Sequence, residues 1–216
     1  MTNLITLTKP QSAEAEAYRT LRTTLMFTYQ ALHTLVMTAC ANADDKSIAI
    51  ANLAVTFAQA GQKTILVDAD LRRPTQQSIW NIDSKPGLST MITDPALMAN
   101  PPLIQTSVEN LSLLPSGDLP SVPADVLSHQ RMNEIIGVLK ARADYVIFDA
   151  PPVLAASDAL LLGVKTDGFL LVIRAGSTRR DHVIQAKEAL DRVKVNLLGT
   201  ILTNAPRERN KQYGHT

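Results

Sequence analysis

The sequence predicts an α/β fold built on a doubly wound, mostly parallel sheet with helices on both faces and an added N-terminal helix. Three observations predict it. Short runs that are apolar on both faces, among them residues 34–38, 145–149 and 169–174, alternate with stretches of helical spacing. That is the pattern of parallel strands covered on both sides by crossover helices. The first of these runs leads through a short loop into Lys46 and Ser47 at the head of a helix. Asp68, Asp70 and Asp149 stand where two other apolar runs end, and open α/β sheets gather ligands at the carboxyl ends of their strands.

Residues 1–11 read as a loose leader. Ser12 is a natural cap for a helix over 13–30, a stretch rich in Ala, Glu, Leu and Arg. The run 34–38 is a buried strand, and the helix beyond the loop extends from Lys46 to Ala60, where Gly61 ends it. Residues 63–68 form the next strand, close enough behind the helix for a βαβ crossover to a parallel neighbour. Residues 74–102 read as irregular with short helical pieces, and 111–115 as a strand. After a stiff loop between Pro120 and Pro123, a single helix is expected over 124–141, with Val126, Leu127, Met132, Ile135, Ile136 and Leu139 on one stripe. Strands at 145–149, 169–174 and 197–203 complete the sheet, with a helix over 181–193 between the last two. The expected organisation is one domain over 1–204 and a short disordered tail over 205–216.

A chain of 216 residues that is 45% hydrophobic can bury one full core and leaves little room for a second domain. With a net charge of +1 and 19% charged residues, there is no electrostatic case for nucleic acid or for broad membrane-surface binding. The single cysteine, Cys40, excludes an internal disulfide framework and is expected as a small buried residue at a strand end, and the four histidines show no ligand spacing for zinc. Residues 1–10 lack the apolar core of a signal peptide, and no apolar run approaches ~18 residues. A soluble cytoplasmic protein is expected, peripheral to the membrane only through a partner. No G-x-S-x-G elbow supports hydrolase chemistry. Trp80 and Phe27 are expected to pack on the sheet or at a subunit contact.

The loop before Lys46 is the anomaly. In a phosphate-binding loop, G-x-x-x-x-G-K-[ST], backbone N–H groups cradle phosphate, the lysine reaches the β/γ-phosphates and the hydroxyl holds Mg²⁺. Residues 38–47 keep the final Lys-Ser yet contain no glycine. The carboxylates compensate in part: Asp68 and Asp70 alternate as their strand leaves the sheet, which turns both to one side, and Asp149 adds a third from another strand. A few such oxygens beside Ser47 and phosphate suffice for Mg²⁺. Taken singly, each strand-end aspartate reads equally as a turn or cap residue; together with Lys46 and Ser47 they indicate a nucleotide-binding fold of the P-loop type.

These residues resemble a known family. Residues 65–72, three aliphatics then D-x-D-x-R, resemble the Walker A′ motif of bacterial tyrosine kinases of the CpsD/CapB/Wzc type, and 146–152, aliphatics then D-x-x-P, resemble the family's Walker B motif. Glu16-Ala-Tyr-Arg19-Thr-Leu-Arg22 is similar to its E-x-x-R-x-x-R oligomerisation motif, and Asp70-Leu-Arg-Arg-Pro74, Pro86-Gly-Leu-Ser89 and Arg131-Met132 lie in family order. The likeness runs from about residue 16 to residue 206. It implies ATP-dependent tyrosine phosphorylation in capsular or exopolysaccharide assembly, with Lys46 on the phosphates, Ser47 on Mg²⁺, Asp70 and Asp149 on Mg²⁺ or its waters, and Asp68 as base for the tyrosine hydroxyl. Asn204 matches a position associated with adenine contact, and reads equally as a turn residue. Glu16, Arg19 and Arg22 would join copies into a homo-oligomer or ring; the plainer reading is a solvated charged face. The implied partner is a membrane polysaccharide co-polymerase of the CpsC/CapA/Wzz kind.

The chain departs from the family at Asn42, Ala43, Asp45 and Ile48, where P-G-x-G-K-[ST]-T is usual. A side chain forced into a glycine conformation costs about 1–3 kcal/mol. A carboxylate ~4 Å from a phosphate charge repels it by about 4 kcal/mol at an effective dielectric of about 20. Weak or lost activity is therefore expected, as in a pseudokinase. The tail offers one candidate acceptor, Tyr213, where the family usually carries a cluster, and a disordered terminal aromatic is the favoured reading of it. The competing expectations are a nucleotide-free oligomeric scaffold and, more distantly, an ATPase switch of the MinD/ParA type.

Overall fold

A computed structural model describes residues 4–41, 45–83 and 86–205. In chain order the elements are α1 (Ile5–Thr8), α2 (Ala13–Thr28), β1 (Thr34–Ala39), α3 (Lys46–Gln59), β2 (Thr64–Asp68), α4 (Gln76–Trp80) and α5 (Leu88–Thr93). A 3₁₀ turn (Pro95–Met98), β3 (Ile104–Gln105), β4 (Leu111–Leu114), α6 (Pro123–Ser128), α7 (Arg131–Lys140) and β5 (Tyr145–Asp149) follow. α8 (Asp158–Gly163), β6 (Gly168–Arg174), α9 (Arg180–Arg192) and β7 (Leu197–Thr203) complete the series. The seven strands lie in the order β3-β4-β2-β5-β1-β6-β7, and every pairing is parallel except β3 with β4.

Alternation along the strands explains why both faces are covered. Leu35, Met37, Leu66, Ile147, Leu170 and Val172 pack on one side with α3, whereas Val36, Ile65, Val67, Phe148, Phe169 and Leu171 pack on the other. Successive side chains of a strand point to opposite faces, so strands that are apolar throughout need two helical layers. α3 belongs almost wholly to the first layer, with Ile50, Leu53, Ala54 and Phe57 fully buried. α7, α8 and α9 supply the second through Leu139, Leu162 and Leu190.

Several local expectations hold in detail. The Ser12 hydroxyl caps α2 by accepting from Ala15 N at 3.1 Å. Gly61 follows α3 with φ +80°, the left-handed conformation that ends helices and favours glycine. Cys40 is buried at the end of β1.

Others are corrected. Residues 1–11 are not all a loose leader, because α1 docks on α3: Leu4 is buried, and Thr6 donates its amide and hydroxyl to Asn52 Oδ1 at 3.0 and 2.8 Å. The single helix expected over 124–141 is two. His129 takes φ −53° and ψ 142°, which breaks the helix and lets Leu127 and Met132 both reach the core. Of the two places expected for Phe27, the sheet is excluded by its 77% exposure and a subunit contact is left, whereas Trp80 is buried. α8 and the antiparallel β3 were not foreseen.

Candidate functional site

β1 carries the chain to the centre of the sheet, and α3 begins beyond the loop with Asp45 at its N-terminal flank. An aspartate there ordinarily caps the helix with its carboxylate. Here the side chain makes no cap bond. Its Oδ2 accepts from the Thr203 hydroxyl at 2.5 Å and lies 3.3 Å from Arg174 Nη1, both partners standing at the carboxyl ends of their strands. The Asp45 backbone has φ −95° and ψ −2°, a turn conformation open to any residue. The strain foreseen for a side chain at this glycine position is therefore not found at Asp45, and Arg174 offsets the charge. Asn42, Ala43 and Asp44 lie outside the described residues.

Lys46 and Ser47 open α3 and are both buried. Lys46 Nζ donates to Asp149 Oδ1 at 2.5 Å, to the Ala150 carbonyl at 2.7 Å and to Asp70 Oδ2 at 3.4 Å. Burial alone pulls the ammonium pKa down, but the charges of Asp149, Asp70 and Asp68 outweigh it and hold the pKa above its ordinary value.

Asp68 and Asp149 end β2 and β5 as register partners, which sets two fully buried carboxylates side by side. Burial first, and then the Asp149 charge, push the Asp68 carboxyl up to about 8. Asp68 Oδ2 accepts from the Gln76 amide at 2.8 Å, while Oδ1 is buried without a partner. Asp70 Oδ1 accepts from the amides of Arg72 and Arg73 at 3.3 and 3.0 Å, which turns Oδ2 toward Lys46. All three carboxylates thus act on one ammonium.

A cavity of 530 Å³ opens over this group, lined among others by Lys46, Ser47, Ile48, Asp70, Arg72 and Arg73. Arg72 is anchored from below, its Nε and Nη2 donating to the buried Asp158 carboxylate at 2.8 and 3.0 Å. The donors suit Mg²⁺ bound together with phosphate. Ser47 and Asp70 offer hard oxygens to the cavity with Asp149 behind them, and Mg²⁺ needs only one or two protein carboxylates when phosphates and waters complete its shell. Among the described residues no group of three or more His, Cys, Asp or Glu side chains forms a closed metal cage.

The remaining expected residues lie elsewhere. Glu16, Arg19 and Arg22 share α2, and each has a partner within the chain. Arg19 pairs with Glu16 at 2.7 Å and donates to the Pro10 carbonyl at 2.7 Å, while Arg22 Nη1 donates to the Thr56 carbonyl on α3 at 3.1 Å. Asn204 has φ 52° and donates Nδ2 to the Ala175 carbonyl at 3.3 Å. It lines a separate groove of 700 Å³ with Tyr18 and Leu21. Burial, and then the charge of Asp45, raise the Tyr18 hydroxyl to about 12. Tyr213 lies outside the described residues. Two residues that the sequence reading missed stand at the centre: Arg174, which answers Asp45, and Gln76, which touches Asp68, Asp149 and Ser47.

A buried lysine at the head of a helix, answered by carboxylates on adjacent parallel strands beneath an open cavity, defines a P-loop-type α/β protein. The AAA domain family model, AAA_31, matches residues 44–197. The chain is 38% identical over 216 residues to the tyrosine-protein kinase YwqD of Bacillus subtilis (strain 168), across 99% of this chain and 90% of that protein. It is 32% identical over 200 residues to the tyrosine-protein kinase CpsD of Streptococcus agalactiae, across 92% and 86%. Among solved structures, the chimerical protein CapA2B2 matches with a TM-score of 0.90 and 33% identity over 96% of this chain and 92% of that one. The chain belongs to the bacterial tyrosine-protein kinases. The septum site-determining protein MinD of Pyrococcus horikoshii OT3, complexed with Mg-ADP, shares the fold alone, with a TM-score of 0.67 at 20% identity over 82% and 72%.

Proposed function

We propose that this protein binds Mg-ATP and phosphorylates protein tyrosine, slowly for its family, as a subunit of capsular or exopolysaccharide assembly. The observation that carries the reading is the convergence of Lys46, Ser47 and Asp70 on one cavity, backed by Asp149 and Asp68. Ser47 and Asp70 would hold Mg²⁺, with Asp149 acting directly or through water. When bound, Mg-ATP supplies the phosphoryl group and neutralises part of its charge. Lys46 would have to leave its carboxylate partners to meet the phosphate oxygens. Asp68 Oδ1, already without a hydrogen-bond partner, would take the tyrosine proton once the Mg²⁺ charge favours the ionised carboxylate. A base with a pKa near neutrality suits that task.

The loop substitutions and Ile48 support reduced activity, since Ile48 removes a hydroxyl and the loop lacks its glycines. Assembly through Glu16, Arg19 and Arg22, adenine contact by Asn204 and phosphorylation of Tyr213 remain parts of this proposal. So does docking to a membrane co-polymerase, for which the family likeness and the CapA2B2 chimera are the support. No helix among the described residues is long and apolar enough to cross a membrane.

A nucleotide-free scaffold is the second reading, and the threefold bonding of Lys46 to Asp149, Ala150 and Asp70 favours it. Phosphotyrosine detection after incubation with Mg-ATP, with Lys46→Ala and Tyr213→Phe as controls, separates the two. Signal lost in Lys46→Ala supports the kinase; no signal from the parent protein at any ATP concentration supports the scaffold.

A further inference from the structure

We propose that Gln76 is a positioning residue of this site, orienting Asp149 and tying it to Ser47, with Trp80 holding the Gln76 amide in place. Gln76 is completely buried, and all its polar atoms are engaged. Its backbone N–H donates to Asp68 Oδ2 at 2.8 Å. Its Nε2 donates to Asp149 Oδ2 at 2.8 Å and to the Ser47 carbonyl at 2.9 Å, and its Oε1 accepts from Trp80 Nε1 at 3.2 Å.

Chemistry alone fixes which way the amide faces. Indole nitrogen is only a donor, so Trp80 must meet the amide oxygen; a carboxylate and a carbonyl are only acceptors, so Asp149 and Ser47 must meet the amide nitrogen. The Asp149 carboxylate is then divided, Oδ1 to Lys46 and Oδ2 to Gln76, and cannot rotate without breaking one bond. Glutamate at position 76 would set a third carboxylate against Asp149. Methionine would leave Asp149 Oδ2 buried without a donor. Asp149 and Ser47 are two of the three residues assigned to Mg²⁺, so Gln76 joins two parts of the metal arm that come from different elements.

The inference rests on the nucleotide-binding reading, and its test keeps the two apart. The measurement is calorimetric affinity for ADP with and without Mg²⁺, in the parent protein, Gln76→Met and Trp80→Phe. Groups behind a metal site change metal affinity by about 10–100-fold. The Mg²⁺-dependent gain in ADP affinity should accordingly fall by about tenfold in Gln76→Met and in the same direction, by less, in Trp80→Phe. ADP affinity without Mg²⁺ should stay within about threefold of the parent. A gain that is unchanged in Gln76→Met, or affinities that fall equally with and without Mg²⁺, overturns the positioning role. If the parent binds ADP in neither condition, the nucleotide reading fails by itself. Gln76 is then judged in the ligand-free protein from the ¹⁵N resonance of the Lys46 ammonium, assigned by its loss in Lys46→Arg. A shifted or broadened signal in Gln76→Met supports the positioning of Asp149, and an unchanged signal overturns it.

Discussion

The Asp45 carboxylate, standing where phosphate-binding loops carry glycine, lies 3.3 Å from the Arg174 guanidinium and accepts a 2.5 Å hydrogen bond from Thr203. Those contacts draw the charge toward the ends of β6 and β7. Of the two penalties a side chain brings to this position, positive-φ strain is not found and repulsion is countered by a neighbouring cation. Arg174 is about one third exposed, so solvent screens the pair and its strength is modest.

Removing Arg174 should therefore release the Asp45 charge onto bound phosphate. Arg174→Ala is expected to weaken Mg-ATP binding by about tenfold, and to have little effect in an Asp45→Gly background. Calorimetry on the four proteins of this double-mutant cycle measures the coupling. Equal losses in both backgrounds would show that Arg174 acts independently of Asp45.

The Arg72–Asp158 pair joins the site to α8. Asp158 is fully buried whereas Arg72 is 42% exposed, so losing the arginine leaves a buried carboxylate short of donors. Arg72→Ala should lower stability by about 1–3 kcal/mol, read by denaturant titration. No change would mean that Asp158 finds other donors.

Arg22 offers a way to divide folding from assembly. Its bond to the Thr56 carbonyl clamps α2 on α3, so Arg22→Ala should reduce the stability of a single copy by about 1 kcal/mol. Arg19→Ala lacks that interhelical bond and should leave stability nearly unchanged. Sedimentation of both variants tests assembly, and a profile identical to the parent's in both would rule out a role for this face between copies.

Asp167 supplies a pH-dependent tie between the starts of β1 and β6. Burial alone raises its pKa. Bonds from the Thr34 hydroxyl and the amides of His33 and Thr34, at 2.8, 3.0 and 2.8 Å, with Lys140 nearby, outweigh burial and hold it below the ordinary range. A depressed carboxyl stabilises the fold above its unfolded-state pKa, and that contribution is lost as pH falls through the folded-state value. Asp167→Asn should thus cost about 1–2 kcal/mol at pH ~7, and the gap to the parent should close in acid. A gap independent of pH would contradict the assignment.

The central strands were legible because their residues are apolar on both faces, a pattern that admits few alternatives. Ser12 and Gly61 marked helix ends by their own chemistry. The break at His129 was not legible, since the apolar stripe continues through it and only the three-dimensional fit of Leu127 and Met132 selects two helices. α1 was too short to show periodicity, and its anchor, Asn52, lies in another helix. Asp68, Asp70 and Asp149 could be read from their places at strand ends. Gln76 could not, because a glutamine amide carries no motif and its role depends on Trp80, Asp149 and Ser47 meeting around it. Arg174 was hidden for a similar reason: its partner comes from a distant loop.

The most direct test of a surviving nucleotide site is calorimetric titration with Mg-ATP, run beside Lys46→Ala. Binding in the micromolar range that Lys46→Ala abolishes is the expected result. No binding by the parent protein at millimolar Mg-ATP, or equal binding by Lys46→Ala, would contradict it.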